Sequence, residues 1–496
     1  MLVRAMKGLD KAMLVLVLLA ILMSVVFFRP WYWDATAYHL PFSARAMNLA
    51  KYAQISAIEN ERYNGFPVLW RYALAPGLIF DLPRLYVLPN LAAAVAMAFS
   101  SVATLGLSWP VALACTLCFP ISLLGFASAY QDYFTNVIAL AGALHLFKWI
   151  HDVRYVSDGS GRWRLLLSFL FLIISANTKI QGLMLSVTIL LVGLLYWLVI
   201  FSTNKTFNLS LSTSRPKRRF GLKFLLILFW LCVALALFVQ PLNNLIRFGN
   251  PLYPVRAFGL SGSEERYSTP LEYLPKIPVV TNVISHFLST TEIDPYLLPG
   301  GDTKPSLLRS GDMFNERRPS LAQSSVRTGG TIGPIYIALL TLALAGLYRI
   351  LQSKDDPAQS SDQVALPLFA LLLAVSALPQ SLELRYFLIT LYIPAILAVL
   401  APGNAWSTKA AKAVICLGLI IGIFHVAVYG RHILAPGIML DLRKELPTSQ
   451  QCLSEGELKT GSDGRKILNI HGKRFGDMVF KCRMVMTGDI FINYQR

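Results

Sequence analysis

Charge is scarce in this 496-residue chain: Asp, Glu, Lys and Arg together make up 15%, against about 25% in a soluble domain. Cysteine is thin as well, six residues scattered without regular spacing, which excludes a disulfide-dense secreted scaffold. Glycine follows no period, so the chain is not collagen-like, and no internal repeat or low-complexity tract interrupts it. Apolar residues, by contrast, are 55% of the chain and the mean hydropathy is +0.54. That excess rules out disorder and a water-soluble globule, and describes a polytopic membrane protein.

The 45 Lys and Arg outnumber the 27 Asp and Glu, a net charge of +18. No basic face with interleaved aromatics accompanies the excess, so nucleic acid is excluded as a partner. The basic residues lie mostly between apolar runs, where they mark the cytoplasmic side; contact with anionic lipid is a secondary reading. A run of about 20 apolar residues crosses the hydrocarbon as a helix. The first covers 12–28, after Arg4, Lys7 and Lys11. No small-residue cleavage site follows, so it reads as a retained helix with its N-terminus inside.

Further runs cover 86–107, 110–128, 134–150, 165–175, 183–201, 224–240, 332–347, 366–377, 387–400 and 413–428. The fold class is therefore an all-α polytopic membrane protein of about eleven spans. Alternation places Arg154, Arg162 and Arg164, the 215–223 basic run, Arg349 with Lys354, and Lys409 with Lys412 all inside. Residues 1–430 form the transmembrane domain, with a first outer loop at 29–85, a long outer loop at 243–331, and an extracytoplasmic tail at 431–496. The tail alternates short apolar and polar runs.

The chemically suggestive residues gather on the outer side. Asp34 ends the first span, where a carboxylate either caps a following surface helix or acts as a base or metal ligand. From Tyr38 the apolar spacing fits a helix lying in the interface. Glu59 and Glu61 read as solvated charges before a short apolar helix. Asp132, after Gln131, opens a span, so capping competes with a functional role. Lys179 stands in a tight turn, either snorkelling or offering a cation to a phosphate. Asn250 belongs to a Pro/Gly-punctuated turn. Arg385, before a span on the outer side, opposes the orientation bias and calls for Glu383 or an anionic ligand.

Trp33-Asp34-Ala35-Thr36-Ala37-Tyr38-His39, Asn64-Gly65-Phe66-Pro67, Asp132, Thr178-Lys179-Ile180-Gln181-Gly182, Gly249-Asn250-Pro251-Leu252-Tyr253-Pro254 and Leu384-Arg385-Tyr386 follow one another in an order that resembles the GT-C superfamily of polytopic glycosyltransferases. The layout is similar to protein O-mannosyltransferases and to the lipid A aminoarabinose transferase. The resemblance implies inverting transfer of a sugar from a polyprenyl-phosphate donor to an acceptor at the outer face. Asp34 and Asp132 would be catalytic carboxylates, and Lys179 and Arg385 would hold the donor phosphate. His39, Gln131, Asn250, Glu383 and Tyr386 would contact substrate. Many members carry a second acid beside the first-loop Asp where this chain has Ala35, which leaves a divalent metal at Asp34 and His39 open.

A transporter or flippase would also have about eleven helices, but with repeats and mid-span charges. An O-antigen ligase or polymerase is a second rival, disfavoured by Asp34 directly after the first span. Sequons occur at Asn204 and Asn208, in a connection read as inside, which favours a bacterial inner membrane. Cys115 and Cys118 form a C-x-x-C within a span and read as buried thiols. Cys452 and Cys482 both fall in the tail and are predicted to pair. Mass spectrometry after non-reducing alkylation is expected to find neither labelled; label on both removes the pairing.

Overall fold

The computed structural model describes residues 2–26, 39–47, 63–80, 82–155, 161–202, 237–251, 253, 289–290, 305–306, 332–352, 364–378, 387–400, 405–431, 449–454, 456–460, 466–471 and 490–495. The fold is mostly helical. Helix α1 (Leu2–Val26) is followed by three short helices, α2 (Leu40–Ala46), α3 (Leu69–Ala73) and α4 (Ala75–Ile79). After α5 (Leu88–Leu105) come α6 (Trp109–Leu117), α7 (Pro120–Phe126), α8 (Asp132–Tyr155), α9 (Arg162–Ala176) and α10 (Ile180–Ser202). Residues 237–248 are helical (α11). The series ends with α12 (Ile332–Gln352), α13 (Ala365–Ser376), α14 (Ile389–Leu400) and α15 (Ala405–Arg431).

Among the described residues six helices are long and apolar enough to cross a membrane, or seven if one bent pair counts as a single span. The pair is α6 and α7, which the apolar run at 110–128 suggested as one straight span and which instead turns by 98°. Pro120 supplies the cause: it has no N–H to donate, and it pushes Phe119 into an extended conformation, φ −101° and ψ 130°. Every residue from Pro110 to Leu124 is buried, so the break is enclosed by protein, the setting in which non-helical backbone survives at membrane depth.

Apolar burial gives membrane helices little reason to associate, so small residues and interhelical hydrogen bonds do that work at about 1 kcal/mol each. Between α8, α9 and α10, the Ser175 hydroxyl donates to the Thr135 carbonyl at 3.0 Å, and the Ser186 hydroxyl reaches the carbonyls of Leu172 (2.9 Å) and Gly182 (2.7 Å). A Cβ at Gly182 would lie 2.0 Å from the Ser175 carbonyl oxygen, so only glycine admits this helix contact. Leu191, Leu194, Leu195 and Leu198 of α10 stay exposed, as suits a lipid-facing stripe.

Charges sit near helix ends. At one end of the bundle Lys412 of α15 donates to Asp10 of α1 at 2.5 Å. Asp152 of α8 meets Lys148 at 3.0 Å, His151 Nδ1 at 3.3 Å and Arg164 of α9. By alternation of the helices Asp132, Lys179 and the start of α14 lie at the other end.

The tail departs from the all-helical expectation. After α16 (Ser449–Ser454) its described strands β3 (Gly456–Thr460), β4 (Lys466–His471) and β5 (Ile490–Gln495) form one sheet in the order β3-β4-β5, antiparallel then parallel. Its alternating apolar and polar residues are the period-2 pattern of half-buried strands. A two-residue ladder, β1 (Ser289–Thr290) with β2 (Pro305–Ser306), is all the sheet described in the 243–331 region. Cys452 is buried and disulfide-bonded, while Cys482 lies outside the described residues. Cys115, Cys118 and Cys416 are free thiols.

The buried Asn90 amide fastens α5 to the α7–α8 corner by donating to the carbonyls of Gly125 (3.2 Å), Phe126 (3.1 Å) and Ser128 (3.1 Å). Asn90→Ala is expected to cost about 2 kcal/mol by stranding those carbonyls. Thermal unfolding in detergent micelles checks this; an unchanged Tm removes the fastening role.

Candidate functional site

The α8 start, the α9–α10 turn and the α14 start converge through polar contacts. Asp132 is the first residue of α8 and is buried, and Lys179 in the turn donates to its Oδ1. Among the described residues this ammonium is what the carboxylate holds, rather than the first backbone N–H groups of its own helix. The capping alternative therefore gives way to an ion pair. One turn on, Asn136 Nδ2 donates to the Asp132 carbonyl at 2.8 Å, while its Oδ1 accepts from the Ile389 N–H of α14 at 3.1 Å. Asn136 thereby fixes the helix that follows Arg385 against the helix that begins with Asp132.

Around this core lies the segment between the first two long spans. Helix α2 starts at Leu40 with His39 at its N-cap position, while Asp34 lies outside the described residues. His39 is buried and sets its ring edge-on to Tyr130, 6.0 Å between centroids. The Trp70 indole N–H donates to the Ala129 carbonyl at 3.1 Å, and the Leu69 N–H to that of Asn177 at 3.2 Å. Helix α3 is thus pinned to both segments that carry the ion pair. Gln131 is buried and its carbonyl accepts the Thr135 N–H at 2.9 Å.

Two of the sequence motifs also meet. Gln240 of α11 donates to the carbonyls of Asn64 (3.1 Å) and Gly65 (3.2 Å), and Asn244 donates to those of Gly65 (3.0 Å) and Tyr253 (2.8 Å). A Cβ on Gly65 would come within 2.8 Å of the Tyr253 ring, so the turn needs glycine there. Asn250 is fully buried and its carbonyl takes the Tyr253 N–H at 3.1 Å, which gives it a turn-forming role.

Asp132 and Lys179 are thus paired, with His39 against Tyr130 and Gln131 beside the start of α8, and Asn250 in the turn that meets Gly65, while Asp34, Glu383, Arg385 and Tyr386 lie outside the described residues. Among the described residues no three His, Cys, Asp or Glu side chains could hold a metal ion. His39 is the one member of the suggested metal pair that is described, and it faces Tyr130.

Sequence reasoning missed Asn136, Gln240 and Asn244, because a neutral amide at a span boundary carries no signal of its own. It also missed Arg71, although an Arg between the first two spans opposes the orientation bias as Arg385 does. Arg71 is buried in α3, and that burial, with Arg45 nearby, pulls its guanidinium below the usual value against the opposing pull of Tyr63 and Tyr72.

No family model matches the chain, and no curated protein and no solved structure is detectably similar to it.

Breaking a buried ion pair strands the remaining charge at a cost of about 3 kcal/mol. Lys179→Met and Asp132→Asn are each expected to lower stability by that order, and the double variant by clearly less than the sum of the two. Unfolding in detergent of the two single variants and the double variant measures the coupling. Strict additivity would show that the pair carries none.

Proposed function

We propose that this chain is a membrane glycosyltransferase that moves a sugar from a polyprenyl-phosphate donor to a glycan, lipid or protein acceptor at the outer face of the membrane. The observation that carries the reading is the Lys179–Asp132 pair, joined through Asn136 to the start of α14. A cation for a phosphate, a carboxylate beside it and the helix following Arg385 come together at one end of the bundle. The ordered likeness to GT-C enzymes supports the same reading.

In this reaction the bond between the sugar's anomeric carbon and the phosphate oxygen breaks, and a bond from that carbon to an acceptor oxygen forms. The acceptor proton passes to Asp34 as general base, and the polyprenyl phosphate departs with its charge held by Lys179 and Arg385. Asp132 keeps Lys179 in place before the donor arrives. His39, Gln131, Asn250, Glu383 and Tyr386 would serve substrate binding, Asn250 through the turn it forms. A divalent metal bound through Asp34 and His39 would add Lewis-acid polarisation.

We place the protein in a bacterial inner membrane, with its N-terminus cytoplasmic and the site facing outward. The Cys452 disulfide supports this side for the tail, since disulfides persist in oxidising compartments. Basic residues at the end of α8 and the start of α9, Arg154, Arg162 and Arg164, support the opposite side as cytoplasmic.

Transfer of radiolabelled sugar from a panel of synthetic polyprenyl-phosphate sugars in proteoliposomes tests the reading. Asp34→Asn is expected to lower turnover by about 100-fold or more, and Arg385→Ala to do so on a comparable scale. If no donor is consumed, or if both variants match wild type, the glycosyltransferase reading fails.

A further inference from the structure

The corner between α8 and α9 is rich in cations. The sequence over 148–164 holds Lys148, Arg154, Arg162 and Arg164 against Asp152 and Asp158, which leaves an excess of two positive charges with both carboxylates fully counted. Asp152 already serves Lys148 at 3.0 Å and Arg164 as well. Helix α9 opens on an exposed Arg162, with no acidic residue in its first turn and no side-chain cap, so cations stand where the helix dipole is itself positive. Trp163 is 39% exposed; its ring is set edge-on to the buried His145, 5.4 Å between centroids, and the Arg164 Cζ lies 5.4 Å from its centre. Beyond it Leu166 and Leu170 are 54% and 50% exposed. Arg162, Leu166 and Leu170 follow at i, i+4 and i+8, so they share one face of α9 and span about 12 Å along it. That length is close to the hydrocarbon depth of one leaflet, about 15 Å.

We propose that this corner binds an anionic phospholipid, with the headgroup phosphate at Arg162, the interfacial region against the Trp163 indole and an acyl chain along Leu166 and Leu170. A charged end, an amphipathic ring and an apolar stripe stand in series along the helix, in the order in which a phospholipid presents its own parts. All four side chains are on the surface of the bundle, so the lipid docks from the bilayer and enters no cavity. Phosphatidylcholine brings its own cation and gains little from the excess charge, whereas phosphatidylglycerol neutralises it. The corner is at the opposite end of α8 from Asp132, and lipid binding there does not depend on sugar transfer, so this reading and the proposed function fail separately.

The test uses the full-length chain in vesicles of phosphatidylcholine and phosphatidylglycerol, with one lipid or the other brominated near the headgroup. Both leaflets carry the same mixture, so the orientation of the chain does not enter. The difference in fluorescence quenching between wild type and Trp163→Phe isolates the Trp163 signal from the other tryptophans. Brominated phosphatidylglycerol is expected to quench Trp163 at about fivefold lower mole fraction than brominated phosphatidylcholine, because one basic residue near the surface contributes about 1 kcal/mol. Arg162→Gln changes an exposed side chain and is expected to bring the two lipids close to parity, measured against its own Trp163→Phe background. Equal quenching by the two lipids in wild type, or an undiminished preference in Arg162→Gln, overturns the site. Loss of the preference on adding inorganic phosphate at constant ionic strength assigns the corner to a dissolved anion and overturns it equally.

Discussion

An ammonium and a carboxylate are each too costly to leave alone at the edge of hydrocarbon, and the arrangement of α8, α9 and α10 follows from pairing them. Lys179 reaches Asp132 because the turn at Asn177 and Thr178 brings the start of α10 back beside the start of α8. That return is close enough to exclude any side chain at Gly182. The hydroxyls of Ser175 and Ser186 then bond across the same helices. Charge pairing, glycine contact and hydroxyl bonding are three expressions of one constraint: polar groups near lipid must find their partners inside the protein.

The same constraint organises the short helices beside the ion pair. Backbone turns cannot hydrogen-bond to lipid, so they are met by side-chain amides and an indole: Gln240 and Asn244 over Asn64 and Gly65, Asn90 over the α7–α8 corner, Trp70 over Ala129. These donors come from elements far apart in sequence. They turn a set of loops into a platform whose geometry is set by the helices beneath it, and a site on such a platform gains rigidity that loops alone do not have.

Hydropathy made most helix positions legible, because a span is a long local signal. The α6–α7 break was not legible, since Cys118, Phe119 and Pro120 sit inside an unbroken apolar run and proline alone does not distinguish a kink from a 98° turn. Asp132 and Lys179 each stood out as ionisable groups at span ends, yet nothing local says that residues 47 apart meet. Asp132 therefore read equally well as a cap, and Lys179 as a snorkelling cation. Arg71 was within reach of the rule that singled out Arg385, but the Tyr63 and Phe42 rings and the Tyr63 and Phe66 carbonyls around it were not legible. The tail's alternating runs were not read as strands, and their mixed pairing, antiparallel and then parallel, carries no local signal.

The bent pair bears on the order in which the chain is assembled. Neither α6 nor α7 is long enough to cross the bilayer alone, since nine and seven residues rise only about 14 and 11 Å. Their corner is covered by α15, whose Gly418 and Gly422 lie so close that a Cβ would stand 2.3 Å from the Cys118 carbonyl oxygen and 2.5 Å from the Leu123 side chain. Helix α15 is made long after the corner it covers. During synthesis the early helices must therefore carry an unsealed joint until the last long helix arrives, which also docks on α1 through Lys412 and Asp10. Helix α15 thus covers the corner and docks on α1 in one step, and the joint between α6 and α7 stays uncovered until it has been made.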